Sequence, residues 1–165
     1  MRIIYMYHAE REISENHGDQ ILRQLEDITE NGIEEAEKLA EKFKGNSQNI
    51  KYIYTSPYAR CKHTAEIINK YLNVPIIEDE RFNEMQRGEE WKDLLKRNID
   101  ALDDIVNKHG NDDNVICITS GVNLSAFICY FYNIKPSNDV PWSQAINITP
   151  INFRVESKKG TKDLD

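Results

Sequence analysis

The chain has three cysteines, seven glycines and five prolines in 165 residues, and the first two scarcities exclude several chemistries. Cys61, Cys117 and Cys129 include no Cys-x-x-Cys pair, so no zinc site is expected. None is followed six positions later by Arg, so a cysteine-dependent phosphatase loop is absent. An odd, unpaired set reads as reduced thiols; Cys117 and Cys129 sit in apolar runs and are expected to be buried. The glycines form neither a Gly-x-Gly-x-x-Gly loop nor a Walker loop, which argues against an unrelated nucleotide-binding domain. Long hydrophobic runs are missing too. No stretch approaches the ~18 apolar residues that span a bilayer, and residues 1–6 are too short an apolar run for a signal peptide, so a cytoplasmic location is expected. Positive charge is in deficit: 21 Lys and Arg stand against 28 Asp and Glu, a net charge of −7. Such a surface repels phosphate backbones and anionic lipid, which argues against nucleic acid or membrane as the main partner. Any anion must be held by a few Arg or His side chains that converge locally.

With 39% hydrophobic and 30% charged residues, the composition is that of a folded globular protein. The length suits a single domain, expected over residues 1–155, with 156–165 as a charged tail. Residues 2–7 read as a buried strand and 9–27 as a polar loop with a turn at His17-Gly18-Asp19. Thr29 can cap a helix whose apolar positions Ile33, Ala36, Leu39, Ala40 and Phe43 recur at helical spacing, with Gly45 at its end. Residues 51–54 form a second strand, and Pro57 suits the first turn of a second helix. Residues 74–78 suit an edge strand, because Pro75 cannot donate to a ladder. Residues 90–109 form a long amphipathic helix, 115–119 a buried strand, 122–132 a helix and 145–155 a last strand. Strands separated by helices imply a three-layer α/β/α sandwich with a mostly parallel sheet. Its ligand site lies beyond the carboxyl ends of the strands. Residues 7–11, 55–60 and 119–122 leave strands there.

Taken singly, His8 at a strand end, Arg60 inside a helix start and Glu84 in a loop have ordinary readings: backbone satisfaction, surface and solvation. Together they supply an imidazole nucleophile, a cation for phosphate and an acid for a leaving oxygen.

Several segments resemble the histidine phosphatase (phosphoglycerate mutase-like) superfamily. Tyr7-His8-Ala9-Glu10 is similar to its Arg-His-Gly-Glu signature, and residues 27–36 to its Leu-Thr-x-x-Gly-x-x-Gln-Ala helix start. Residues 54–65, with Ser56-Pro57 and Arg60, resemble its Ser-Ser-Pro-x-x-Arg segment, the most specific match. Phe82-Asn83-Glu84 with Gly88 and Trp91 resembles its Leu-x-Glu…Gly-x-Trp stretch, and 115–122 takes the place of its second His-Gly motif. The resemblance implies a phosphoglycerate mutase-like fold and hydrolysis of a phosphomonoester, on a small molecule or a phosphorylated side chain, through a phosphohistidine. His8 would be the nucleophile, Glu84 the proton donor and Arg60 the phosphate ligand, with Ser56 in support; no metal or organic cofactor is implied. Two positions depart from the pattern: Tyr7 stands where the family has Arg, and Ser120 where it has the second His. Each would offer phosphate a neutral hydroxyl. Arg11, Arg87, His63 and His17 are the residues that could compensate. The departures predict a weakened enzyme; the competing expectation is an inactive relative that binds a ligand or a protein. The short span after Glu84 implies an open cap and argues against a mutase.

Overall fold

The computed structural model describes residues 1–15, 18–45, 49–132, 135 and 145–148. His17 and residues 149–165, which include the expected tail and the end of the last expected strand, lie outside these.

The elements run β1 (Ile3–Tyr7), α1 (Gln20–Leu25), α2 (Glu30–Gly45), β2 (Ile50–Thr55), α3 (Ala59–Leu72), β3 (Ile76–Glu78), a 3-10 turn (Glu80–Phe82), α4 (Trp91–Lys108), β4 (Asn114–Thr119), α5 (Gly121–Tyr132) and β5 (Ala145–Ile148). The sheet order is β3-β2-β4-β1-β5. The first four strands are parallel and β5 is antiparallel to β1. Alternate residues of each strand face opposite layers, as a pleated strand requires. Ile3, Tyr5, Val115 and Cys117 pack with Leu94, Leu102, Ile105 and Phe127 of α4 and α5. Ile4, Met6, Ile53, Ile116 and Ile118 pack with Phe43 of α2 and with Cys61, Ala65 and Ile68 of α3. This is the expected α/β/α sandwich. All three cysteines are buried, and burial pushes the Cys61 thiol up to about 12.

Register decides where the loops emerge. Tyr7 pairs with Thr119 and Thr55 with Ile118. The pairing runs one residue further: His8 N–H donates to the Thr119 carbonyl at 3.1 Å and Ser56 N–H to the Ile118 carbonyl at 3.0 Å. The carboxyl ends of β1, β4 and β2 therefore lie side by side. β3 is the expected edge strand; Pro75, just before it, contributes its carbonyl to Ile53 N–H.

Two expectations are corrected. Residues 9–27 are not loop throughout, since α1 lies within them, started by Asp19, whose Oδ1 accepts from Ile21 and Leu22 N–H. Six residues are too few to show a helical period, and none of them is buried, so no apolar stripe marked the helix. Pro57 also sits outside its helix. α3 begins at Ala59 with Tyr58, in extended conformation, as N-cap. The Ser56 hydroxyl oxygen accepts from Tyr58 N–H at 3.3 Å, which adds one turn between the strand and the helix.

The start of α2 is fastened to the segment that follows His8. Thr29 Oγ1 accepts from Gly32 N–H at 3.0 Å, the expected cap, and donates to Glu10 Oε1 at 2.7 Å. Glu10 Oε2 accepts from Asn31 Nδ2 at 3.0 Å. Gly32 permits this closeness, because a Cβ there would lie 2.2 Å from the Glu10 carbonyl oxygen. Gly32→Ala should therefore destabilise the chain by about 1–3 kcal/mol despite the better helix propensity of Ala. Gly18→Ala, where a Cβ would meet nothing within 4 Å, serves as the control. Urea unfolding of both variants checks this; equal midpoints would refute the clash.

Candidate active site

His8 stands one residue beyond β1 and is 3% exposed. Its Nδ1 lies 2.7 Å from the Ala9 carbonyl, which can only accept, so the proton is assigned to Nδ1. Nε2 then carries the lone pair and accepts from Arg60 Nε at 3.2 Å. Burial, with smaller contributions from the Arg60 and Arg11 charges, lowers the His8 pKa to about 3, so the imidazole is neutral at physiological pH. The Tyr7 ring lies on one face of the imidazole, with centroids 3.9 Å apart and planes at 38°.

Arg60, the second residue of α3, is 1% exposed, and each of its nitrogens has a partner. Nε donates to His8, Nη1 to the Arg23 carbonyl at 2.6 Å and Nη2 to Glu84 Oε2 at 2.8 Å. The guanidinium also lies 4.9 Å from the centroid of the Tyr58 ring. Thr64, one turn along α3, accepts from Ala9 N–H at 3.1 Å and donates to the Arg60 carbonyl at 2.7 Å. This fixes the spacing between the segment after β1 and the helix.

Glu84 lies between the 3-10 turn and α4 and is held through its neighbours. The Phe82 carbonyl accepts from Thr119 Oγ1 at 2.7 Å. Asn83 Oδ1 accepts from Ser56 Oγ at 2.6 Å, and the Asn83 carbonyl accepts from Asn123 Nδ2 at 3.2 Å. Gln86 and Arg97 donate to the Glu84 carbonyl itself. Beneath the loop, buried Asn98 Oδ1 accepts from Tyr5 Oη at 2.6 Å and from Asn123 Nδ2 at 3.0 Å. A closed polar network thus anchors the loop to β1, α4 and α5.

The structure brings His8, Arg60 and Glu84 together, with Arg60 between the other two. It adds a residue the sequence did not single out. Arg23 of α1 places Nη2 2.6 Å from Glu84 Oε1, and its buried Nε has no hydrogen-bond partner. Nothing in the polar stretch 9–27 distinguished Arg23 from Arg11 as a candidate cation.

The remaining expected residues divide. Ser56 adjoins the site through Asn83, and Tyr7 through its stack on His8. Ser120 caps α5: its hydroxyl donates to Asn123 Oδ1 at 2.7 Å and accepts from Asn123 N–H at 3.4 Å. Arg11 is paired with the buried Glu26 at 2.5 Å, and its charge acts on His8. Arg87 is exposed. His63 faces Asp27 at 3.0 Å, beside Pro57 and Lys62, away from His8. A mostly apolar cavity of about 480 Å³ adjoins the site between the end of β1 and α2, lined by Tyr7, His8, Arg11, Ala36, Leu39 and Phe43 among others.

The arrangement is a neutral imidazole, two guanidiniums and one carboxylate at the carboxyl ends of the parallel strands. The chain is 33% identical over 88 residues to the uncharacterized phosphatase PhoE of Bacillus subtilis, covering 47% of this chain and 45% of that protein. It is 33% identical over 95 residues to the 5''-phosphoribostamycin phosphatase of Niallia circulans, covering 55% and 44%. It thus spans under half of either relative. Among solved structures, Bacillus stearothermophilus YhfR superposes with a TM-score of 0.74 at 21% identity over 90% of both chains. The protein histidine phosphatase SixA, complexed with tungstate, does so with 0.67 at 18% identity over 90% of this chain and 88% of that one. Both show the same fold. The model of the histidine phosphatase superfamily (branch 1) matches residues 6–89 and 85–159, nearly the whole length, and the chain belongs to that superfamily.

Proposed function

We propose that the chain is a slow phosphomonoesterase that works through a phosphohistidine at His8. The observation that carries the reading is the orientation of the imidazole: Nδ1–H is committed to the Ala9 carbonyl, and the Nε2 lone pair faces the Arg60 guanidinium. In the first step Nε2 bonds to phosphorus, the ester P–O bond breaks, and Glu84 gives a proton to the leaving oxygen. The Ala9 carbonyl steadies the positive charge that the ring acquires. In the second step water attacks phosphorus, Glu84 takes the water's proton, the P–N bond breaks and inorganic phosphate leaves. Arg60 holds the phosphoryl oxygens throughout. The substrate is a small phosphorylated molecule or a phosphorylated side chain.

Slowness follows from Tyr7 and Ser120. Losing one transition-state donor typically costs about 10²–10³ in turnover. Two losses within one unit need not multiply. The Ser120 hydroxyl, moreover, is engaged with Asn123.

A second reading, ligand binding without turnover, is favoured by the cavity against Tyr7 and His8, whose volume of about 480 Å³ and mostly apolar lining suit a small molecule.

Kinetics separate the two. His8→Ala should reduce phosphate release from p-nitrophenyl phosphate to the buffer background. Glu84→Gln should slow an alkyl phosphomonoester at least about tenfold more than this aryl ester, whose leaving group needs little protonation. Release that is unchanged in His8→Ala would refute the phosphatase reading, and a wild-type chain inert on both esters would favour the second.

The environment of His8 also makes stability pH-dependent. The folded pKa is about 3 against an ordinary 6.5, so between those values the unfolded chain binds a proton that the folded chain does not. Stability is full above about pH 6.5 and falls as the pH drops, by about 1.4 kcal/mol per unit from this group. Urea unfolding at pH 7.5 and 5.5 should show the wild type losing about 1.4 kcal/mol more than His8→Gln. Equal losses would mean that His8 is not held neutral.

A further inference from the structure

We propose that Arg23 is a second phosphate-binding residue, carried into the site by α1 and supplying the positive charge that Tyr7 does not. The inference rests on the phosphatase reading. Its geometry is direct. Arg23 Nη2 and Arg60 Nη2 contact the two oxygens of one carboxylate, at 2.6 and 2.8 Å. Both guanidiniums therefore border one anion-sized position. Arg60 keeps the second N–H of Nη1 and of Nη2 for a phosphoryl oxygen but has no wholly unpartnered nitrogen. Arg23 has one: its Nε is buried without an acceptor. A phosphate offers more acceptor sites than a carboxylate and can satisfy that nitrogen while keeping the contacts of both arginines.

Among the described residues, the other cations near the site are engaged elsewhere or face solvent. Arg11 pairs with Glu26, Lys62 with Glu78, and Arg97 with Glu89; Arg87 is exposed.

The attachment of α1 fits this role. It buries no residue of its own. It is joined to the site by polar ties: the Arg23 carbonyl to Arg60 Nη1, Gln20 Nε2 to Gln86 Oε1 at 2.6 Å, and Arg87 N–H to Gln20 Oε1 at 3.1 Å. When phosphate takes both guanidiniums, Glu84 gives up its two ion pairs and stands beside the ester oxygen it must protonate.

The test uses Arg23→Met and Arg23→Lys in the full chain, with Lys92→Met as an exposed-cation control; Lys92 pairs only with the neighbouring Glu90. Calorimetric affinity for inorganic phosphate and kcat/KM for p-nitrophenyl phosphate are measured for each. Arg23→Met should lose roughly 10- to 100-fold in both. Arg23→Lys should recover part of the loss, because it keeps the charge without the planar fork. Lys92→Met should match the wild type. Added guanidinium at millimolar concentration should raise the activity of Arg23→Ala, which a purely structural role would not produce. Arg23→Met with wild-type phosphate affinity overturns the proposal. If His8→Ala still abolishes turnover in that case, the phosphatase reading stands without it. If His8→Ala has no effect, that reading falls, and the phosphate affinities still decide the role of Arg23.

Discussion

A guanidinium that is 1% exposed must have its hydrogen bonds met inside the protein, and the site is organised around that requirement at Arg60. Its three nitrogens take a ring nitrogen from the end of β1, a carbonyl from α1 and a carboxylate from the loop before α4. These segments are separated in sequence. The buried charge turns them into one unit. Burial keeps the imidazole of His8 neutral, and the Arg60 charge beside it adds a smaller push in the same direction. The position of the imidazole and that of the Glu84 loop thus depend on one side chain.

The polar network under the Glu84 loop has a comparable role. Tyr5, Asn98, Asn123 and Thr119 are buried, and their hydrogen bonds interlock with the carbonyls of Phe82 and Asn83. An apolar floor would pack as densely yet would not fix the loop along the strand direction. Directional bonds do, which places the carboxylate within reach of both arginines. Ser120 belongs to this network. A short hydroxyl beside Asn123 caps α5.

Much of this was legible in the sequence, for particular reasons. The strands of the sandwich announce themselves as short apolar runs, and α2 and α4 as long periodic ones, since both faces of a parallel sheet are buried. His8, Arg60 and Glu84 were found because each follows a strand in a segment of distinctive residues. The cap at Thr29 was also legible from residue type. What escaped was α1 and, with it, Arg23. A helix of six residues that buries nothing has no period to read, and one Arg in a polar stretch looks like any other. Arg11 appeared the better candidate because it lies nearer His8 in sequence. The buried acid Glu26, visible only once the chain is folded, draws it aside. The start of α3 was misjudged for a local reason: the serine before Pro57 makes a turn of its own.

Ile21 and Leu25 of α1 are each 72% exposed. The segment that carries the second guanidinium therefore contributes almost nothing to the apolar interior, and the interior asks almost nothing of its sequence. Selection can rewrite most of this helix with little penalty to folding, so long as the chain still reaches Arg60 through a carbonyl. The stability of the sheet and the positive charge placed beside Glu84 are thereby carried on separate stretches of the chain, so this corner can change while the sheet stays as it is.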